Sequence, residues 1–189
     1  MKWNLLVILV YFLSFQLIAQ KSNIEKSGDF LSVALPVAAY ATTQIWRDDQ
    51  KPGWRFAAAI GTSTILTHSL KRIVNKKRPN GGSYSFPSGH TSSAFTGAAF
   101  IQKRHGWKAG IPAFLVASYV GWTRIYANKH DYWDLLGGSI IGIGSAYLFA
   151  KPYNKNKIDL SFYKSDKYYI LGLNYRFAVK NSIAKGNYP

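Results

Sequence analysis

Three clusters decide how this chain is read: Lys71-Arg72-Ile73-Val74-Asn75-Lys76-Lys77-Arg78-Pro79, then Pro87-Ser88-Gly89-His90, then Thr123-Arg124 with His130 and Asp134 behind it. The first cluster sits at the end of an apolar segment. The second opens the next segment, and the third straddles a connection two segments later. In an up-and-down helical bundle these three places fall at the same end. Between Gln50 and His130 there is no Asp or Glu. The bases there have few local carboxylates, so an external anion is their natural partner.

Working outward, residues 20–29 are polar and read as a short lead-in. Residues 30–46 carry no charge and predict a helix, with Pro36 as a kink point. A turn follows over 47–53. The next predicted helix covers 54–74, with Lys71 on its last turns and Pro79 ending it. Ser88 is a natural N-cap for a helix running to about residue 102. An apolar helix is expected over 107–126 and a connector over 127–129. A last core helix runs from about His130 to Phe149. Its Gly137, Gly138, Gly142 and Gly144 allow close helix contact.

The tail differs in pattern. Residues 151–157 are a polar linker. The runs 158–163 and 168–179 are aromatic-rich and partly alternating, which predicts a β-hairpin. The expected fold is therefore all-α, an antiparallel bundle of about five core helices, with a short C-terminal hairpin. Three regions result: 1–19, a helical domain over 20–150, and the tail over 151–189.

The 189 residues suffice for one domain with a real core. Twenty-four Lys and Arg against eight Asp and Glu give a net charge of +16, which points to an anionic substrate, an anionic membrane or nucleic acid. No helix-turn-helix, zinc-finger or RNA-binding sheet signature is present, so nucleic acid is disfavoured. There is no Cys, which removes thiol catalysis, disulfides and Cys-ligated metals.

The three clusters supply two kinds of chemical part. Lys71, Arg78 and Arg124 are fixed cations suited to phosphate oxygens. His90 and His130 can give and take protons near neutral pH. Asp134, four residues after His130, can hold one ring nitrogen on a shared helix face and leave the other free to attack. Gly89 lets backbone approach a ligand, and the free N–H groups of a helix start favour an anion. Each cluster alone has a plainer reading. A His–Asp pair at this spacing is ordinarily a surface pair, a basic run a solvated face or headgroup anchor, and Pro-Ser-Gly-His a helix cap. Arg72, Lys76 and Lys77 read as facing solvent or headgroups. His68 reads as a polar core residue, His105 as a turn residue and Asp131 as a helix-start charge.

Jointly and in this order, Lys-x6-Arg-Pro, Pro-Ser-Gly-His and Arg-x5-His-x3-Asp resemble the tripartite signature of the type 2 phosphatidic acid phosphatase superfamily. That superfamily includes lipid phosphatases, class A acid phosphatases and vanadium haloperoxidases. The resemblance covers roughly residues 28–150. One departure is Thr123, where the family usually has Ser; the hydroxyl is kept. The resemblance implies a phosphohistidine mechanism that needs no metal or other cofactor. His130 is the nucleophile, Asp134 its partner and His90 the general acid and base. Lys71, Arg78, Ser88, Gly89 and Arg124 bind the phosphate. The implied partner is an anionic phospholipid or isoprenoid phosphate.

Lys2 followed by the apolar run 5–19 fits a signal peptide cleaved after Ala19, or an uncleaved first membrane helix. Five core segments are each candidates to cross a bilayer. Basic residues around 47–55, 103–108 and 151–157 lie on the side opposite the site, which places the site outside. Mean hydropathy is only −0.09. A soluble periplasmic acid phosphatase, a vanadate-dependent haloperoxidase and a non-enzymatic anionic-lipid binder are the competing expectations.

Overall fold

One long helix, α1 (Lys2–Ile45), opens the first unit of the chain. The computed structural model describes residues 22–46 and 52–153 in full, and the backbone of 2–21, 158–164 and 168–175. The predicted leader over 1–19 therefore lies outside the residues whose side chains are described. Two units are present, Met1–Pro152 and Tyr153–Pro189.

The first unit holds α1, α2 (Pro52–Val74), α3 (Gly89–His105), α4 (Trp107–Tyr126) and α5 (Tyr132–Phe149). It is the all-α bundle expected. Pro52 starts α2, where the missing N–H costs nothing. Ser88 caps α3, accepting from the Thr91 amide. Gly106, at φ 83, ends α3 and precedes α4. The second unit, taken by itself, pairs β1 (Ile158–Lys164) antiparallel to β2 (Tyr169–Tyr175), with Leu160 opposite Leu173.

Helix α3 is central and touches each of the other four. The core around it is built largely from alanine: Ala39, Ala59, Ala94, Ala98, Ala99, Ala117 and Ala146, with Phe56 edge-on to Phe100 at 5.0 Å. Small side chains let the helices come close. A Cβ on Gly138 would stand 2.6 Å from the Ser88 carbonyl, and one on Gly142 2.5 Å from that of Ser92. Buried hydroxyls pair across helices, Thr67 with Ser92 and Thr96 with Ser63. This satisfies polar groups that would otherwise cost about 1–3 kcal/mol each.

Four expectations are corrected. Residues 20–29 are not a lead-in but part of α1, which sets Glu25 and Asp29 one helical turn apart. Helix α2 ends at Val74 as expected, but Pro79, five residues on, is not what ends it. Asn75 takes a left-handed conformation there (φ 44) while its amide still bonds the Lys71 carbonyl. His130 lies before α5, not on it, because Asp131 is the N-cap. Finally, among the described residues no helix is long and apolar enough to cross a membrane. Hydroxyls and glycines dilute the apolar runs, as in Gly61-Thr62-Ser63-Thr64 of α2, and α3 has only 17 residues.

Candidate active site

The three basic and histidine clusters meet at one end of the bundle, around a cavity of about 380 Å³. Its wall includes Lys71 from the last turn of α2, Arg78 from the following loop, Gly89 and His90 from the start of α3, and His130 from the connector before α5. Ser32, Val33, Thr64 and Ser93 continue the wall along α1, α2 and α3. Ser88, Arg124 and Asp134 do not line the cavity. They are fully buried behind those that do.

His130 is held from one side. Its Nδ1 lies 3.3 Å from Asp134 Oδ2 and 3.4 Å from Ser85 Oγ. Ser85 in turn donates to the same Asp134 oxygen. Asp134 closes a capping box with Asp131. The Asp134 amide donates to Asp131 Oδ1, and the Asp131 amide to Asp134 Oδ2, both at 3.1 Å. Lys76 completes the carboxylate's surroundings, 2.9 Å from Asp134 Oδ1 and 2.5 Å from Asp131 Oδ2. With Nδ1 donating to Asp134, Nε2 keeps its lone pair; among the described residues nothing bonds to it. Burial, reinforced by the positive charge of Lys71, lowers the His130 pKa to about 4. Asp134 pulls the other way and Arg78 adds to the lowering. The ring is thus neutral at neutral pH, the form a nitrogen nucleophile requires.

The cations divide into two groups. Lys71 Nζ donates to the Tyr84 carbonyl at 2.8 Å, which Tyr84 turns inward from a left-handed backbone (φ 60). Arg78 has a buried Nε with no hydrogen-bond partner. Neither Lys71 nor Arg78 has a carboxylate partner among the described residues, and both face the cavity. A buried guanidinium N–H left unpaired is costly unless a ligand meets it. Gly89 adds an open backbone edge: a Cβ there would come no closer than 3.9 Å to Lys71 or Thr67. Its amide is one of the orphan donors of the α3 start. Arg124 is different. Its Nη1 is 2.6 Å from Asp29 Oδ1, its Nη2 2.7 Å from the Glu25 carbonyl, and its Nε 3.1 Å from Thr123 Oγ1. Three of its five N–H bonds are spent inside the protein. Thr123 thus uses its hydroxyl to hold Arg124.

Sequence reasoning missed Asp29, Ser85 and Lys76. Asp29 Oδ1 also lies 3.0 Å from His90 Nε2. The signal for it was available: Glu25 and Asp29 are two of only eight acids, spaced one helical turn apart. Lys76, expected to face solvent or headgroups, is instead the counter-ion of both aspartates. His68, expected in the core, is exposed and lines the cavity wall. Among the described residues no group of three His, Asp or Glu is placed to hold a metal ion.

Comparison with known proteins adds the following. The model of the PAP2 superfamily matches residues 81–158, which takes in the second and third clusters and leaves Lys71 and Arg78 before it. The chain is 29% identical over 171 residues to the lipid A 4'-phosphatase of Helicobacter pylori, covering 82% of this chain and 85% of that one. Its structure is similar to the crystal structure of Aquifex aeolicus LpxE (TM-score 0.60, 26% identity, 69% of this chain and 84% of that one). It is also similar to the transmembrane PAP2 type phosphatidylglycerolphosphate phosphatase of Bacillus subtilis (TM-score 0.56, 28% identity, 71% and 75%).

Proposed function

The chain belongs to the PAP2 superfamily, and from that premise we propose that it is a phosphatase that hydrolyses a lipid phosphate monoester through a phosphohistidine. The observation that carries this reading is His130: a neutral imidazole with Nδ1 tied to Asp134, set in the same cavity wall as Lys71, Arg78, Gly89 and His90.

In this mechanism His130 Nε2 attacks phosphorus and the ester P–O bond breaks. Lys71, Arg78 and the Gly89 amide hold the phosphoryl oxygens and stabilise their charge in the transition state. His90 gives its proton to the leaving alkoxide. In the second step neutral His90 takes a proton from water, the water oxygen attacks phosphorus, and the P–N bond breaks to release phosphate. No step calls on a metal ion. Ser88 and Asp134 act from behind the wall, Ser88 by capping the helix that presents Gly89 and His90.

A lipid substrate is supported by the relatives and by the protein's outer surface. Phe30, Val33, Val37, Trp54, Ile65, Trp107, Leu115, Trp133, Ile140 and Leu148 are all more than half exposed. They are spread over the four outer helices, far beyond what a soluble surface ordinarily shows. The protein is held at a membrane by this surface. Arg55, Lys103, Lys108 and Lys151 gather at the end opposite the site, which favours that end on the cytoplasmic side and the site outside.

The test is phosphate release by detergent-purified protein, with EDTA present, from lipid A, phosphatidylglycerol phosphate, phosphatidate, undecaprenyl pyrophosphate and an aryl phosphate. Release from a lipid, lost in His130→Ala, is the expected result. Release unchanged in His130→Ala overturns the nucleophile, and release from the aryl phosphate alone overturns the lipid substrate.

A further inference from the structure

We propose that Asp29 is a positioning residue for His90, holding its ring for proton transfer as Asp134 holds that of His130. This rests on the mechanism above. The site then contains two His–Asp pairs, one for the nucleophile and one for the acid and base. The second pair joins α1 to α3.

The geometry is specific. Asp29 Oδ1 accepts from Arg124 Nη1 at 2.6 Å and faces His90 Nε2 at 3.0 Å as an ion pair. Arg124 cannot move easily, since it is fully buried and also bonded to the Glu25 carbonyl and Thr123. The carboxylate is therefore fixed from behind by Arg124 and fixes His90 in front. Gly28 makes this arrangement possible. A Cβ at that position would meet Thr123 Oγ1 and stand 2.5 Å from Arg124 Nη2, so only glycine lets α1 come this close to α4.

The chemistry follows from this contact. With Nε2 facing Asp29 at 3.0 Å, Nδ1 is the nitrogen left to exchange a proton with the reacting oxygen. In the first step imidazolium Nδ1–H passes its proton to the leaving alkoxide; in the second, Nδ1 takes one from water. A cation on His90 is otherwise disfavoured there, first by burial and then by the positive charges of Arg124, Lys129 and Arg78. Among the described residues Asp29 is the one carboxylate paired with it. Lys129 is already joined to Glu25.

A plainer role is that Asp29 only anchors Arg124. Asp29→Asn separates the two, because an amide oxygen still accepts from Arg124 Nη1 while the charge facing His90 is gone. The measurement is kcat/KM over a series of phosphate monoesters running from alkyl to aryl leaving groups, for the parent protein, Asp29→Asn, His90→Ala and the double variant. A good leaving group needs no proton, so Asp29→Asn should lose about 10- to 100-fold on alkyl esters and little on aryl esters, a part of the roughly 10²- to 10⁴-fold that general acid catalysis supplies. In the His90→Ala background Asp29→Asn should cost nothing further. Equal losses across the series, or a full further loss in the His90→Ala background, overturn the proposal and leave Asp29 as an anchor for Arg124. A parent protein that releases phosphate from no ester overturns the underlying phosphatase reading instead.

Discussion

Lys76 Nζ lies 2.9 Å from Asp134 Oδ1, so the carboxylate that faces His130 with one oxygen is held by a cation through the other. Asp134 is fully buried and accepts from four groups: Lys76, Ser85, the Asp131 amide and His130. A buried carboxylate with this many donors stays ionised and keeps one orientation. It therefore selects the His130 tautomer with the proton on Nδ1.

Lys76→Met should weaken this hold without touching the cavity. Leaving a buried acceptor short of one partner costs about 1–3 kcal/mol, and the same loss in the transition state would slow turnover about 5- to 160-fold. Paired measurements of kcat and of the urea midpoint check it. An unchanged rate with lowered stability would make Lys76 a structural counter-ion only.

Asp134→Asn and Ser85→Ala should rank in that order. Asparagine keeps the shape but can present its N–H₂ to His130 and select the wrong tautomer, an effect of roughly 10⁴ in serine protease triads. Ser85→Ala removes one hydrogen bond from a carboxylate that keeps three others, so a loss nearer tenfold is expected. Single-turnover kinetics on one lipid substrate give both numbers. A Ser85→Ala loss as large as that of Asp134→Asn would move Ser85 into a more direct role.

Much of this site was legible in the chain, and the reason is physical. Lys71, Arg78, His90 and His130 sit at helix ends or beside them, and helix starts are marked by caps such as Ser88 and Asp131. Up-and-down topology then brings alternate ends together. The contributions of Asp29, Ser85 and Lys76 were not legible, because each depends on which way a helix face or loop turns. Reading 20–29 as a lead-in hid Asp29: the polar residues Lys21 to Asp29 break the apolar pattern, yet the helix continues because nothing in them stops it except Gly28. That glycine, weak in a helix by about 1 kcal/mol, is kept for close packing. The expectation that Arg124 binds phosphate followed from its charge and from the family resemblance, whereas its burial against Asp29 and Glu25 is a tertiary property.

The lowered pKa of His130 sets a pH window. Its value of about 4 lies below the ordinary 6.5 because of burial and the charge of Lys71. The nucleophile should stay unprotonated down to about pH 4, so the acid limb of kcat/KM due to His130 should appear only below about pH 5. For stability the sign is fixed by proton uptake: between 6.5 and 4 the unfolded chain binds the proton and the folded protein does not, so stability falls as pH falls through that window. Lys71→Met removes a lowering charge, and the acid limb should then move to higher pH. A limb that stays in place in Lys71→Met would show that burial and Arg78 set the value without Lys71.

Gly28 and Gly61 make opposite predictions from the same substitution. Gly61 lies inside α2 with nothing within 4 Å of a Cβ, so Gly61→Ala should stabilise by about 0.5–1 kcal/mol through chain entropy and leave activity alone. At Gly28 an added Cβ would stand 2.8 Å from Thr123 Cβ as well as against Arg124. Gly28→Ala should therefore push α1 from α4 and cost about 1–3 kcal/mol by overpacking. It should also carry Asp29 away from His90 and Arg124, so activity on alkyl esters should fall with stability. Adding Thr123→Ala removes the hydroxyl but leaves the Cβ of residue 123 and Arg124 Nη2 in the way. Gly28→Ala/Thr123→Ala should then recover part of the thermal midpoint while activity stays low. Recovery of both together would mean that Thr123 alone sets the spacing, and that Arg124 gives way without consequence for the site.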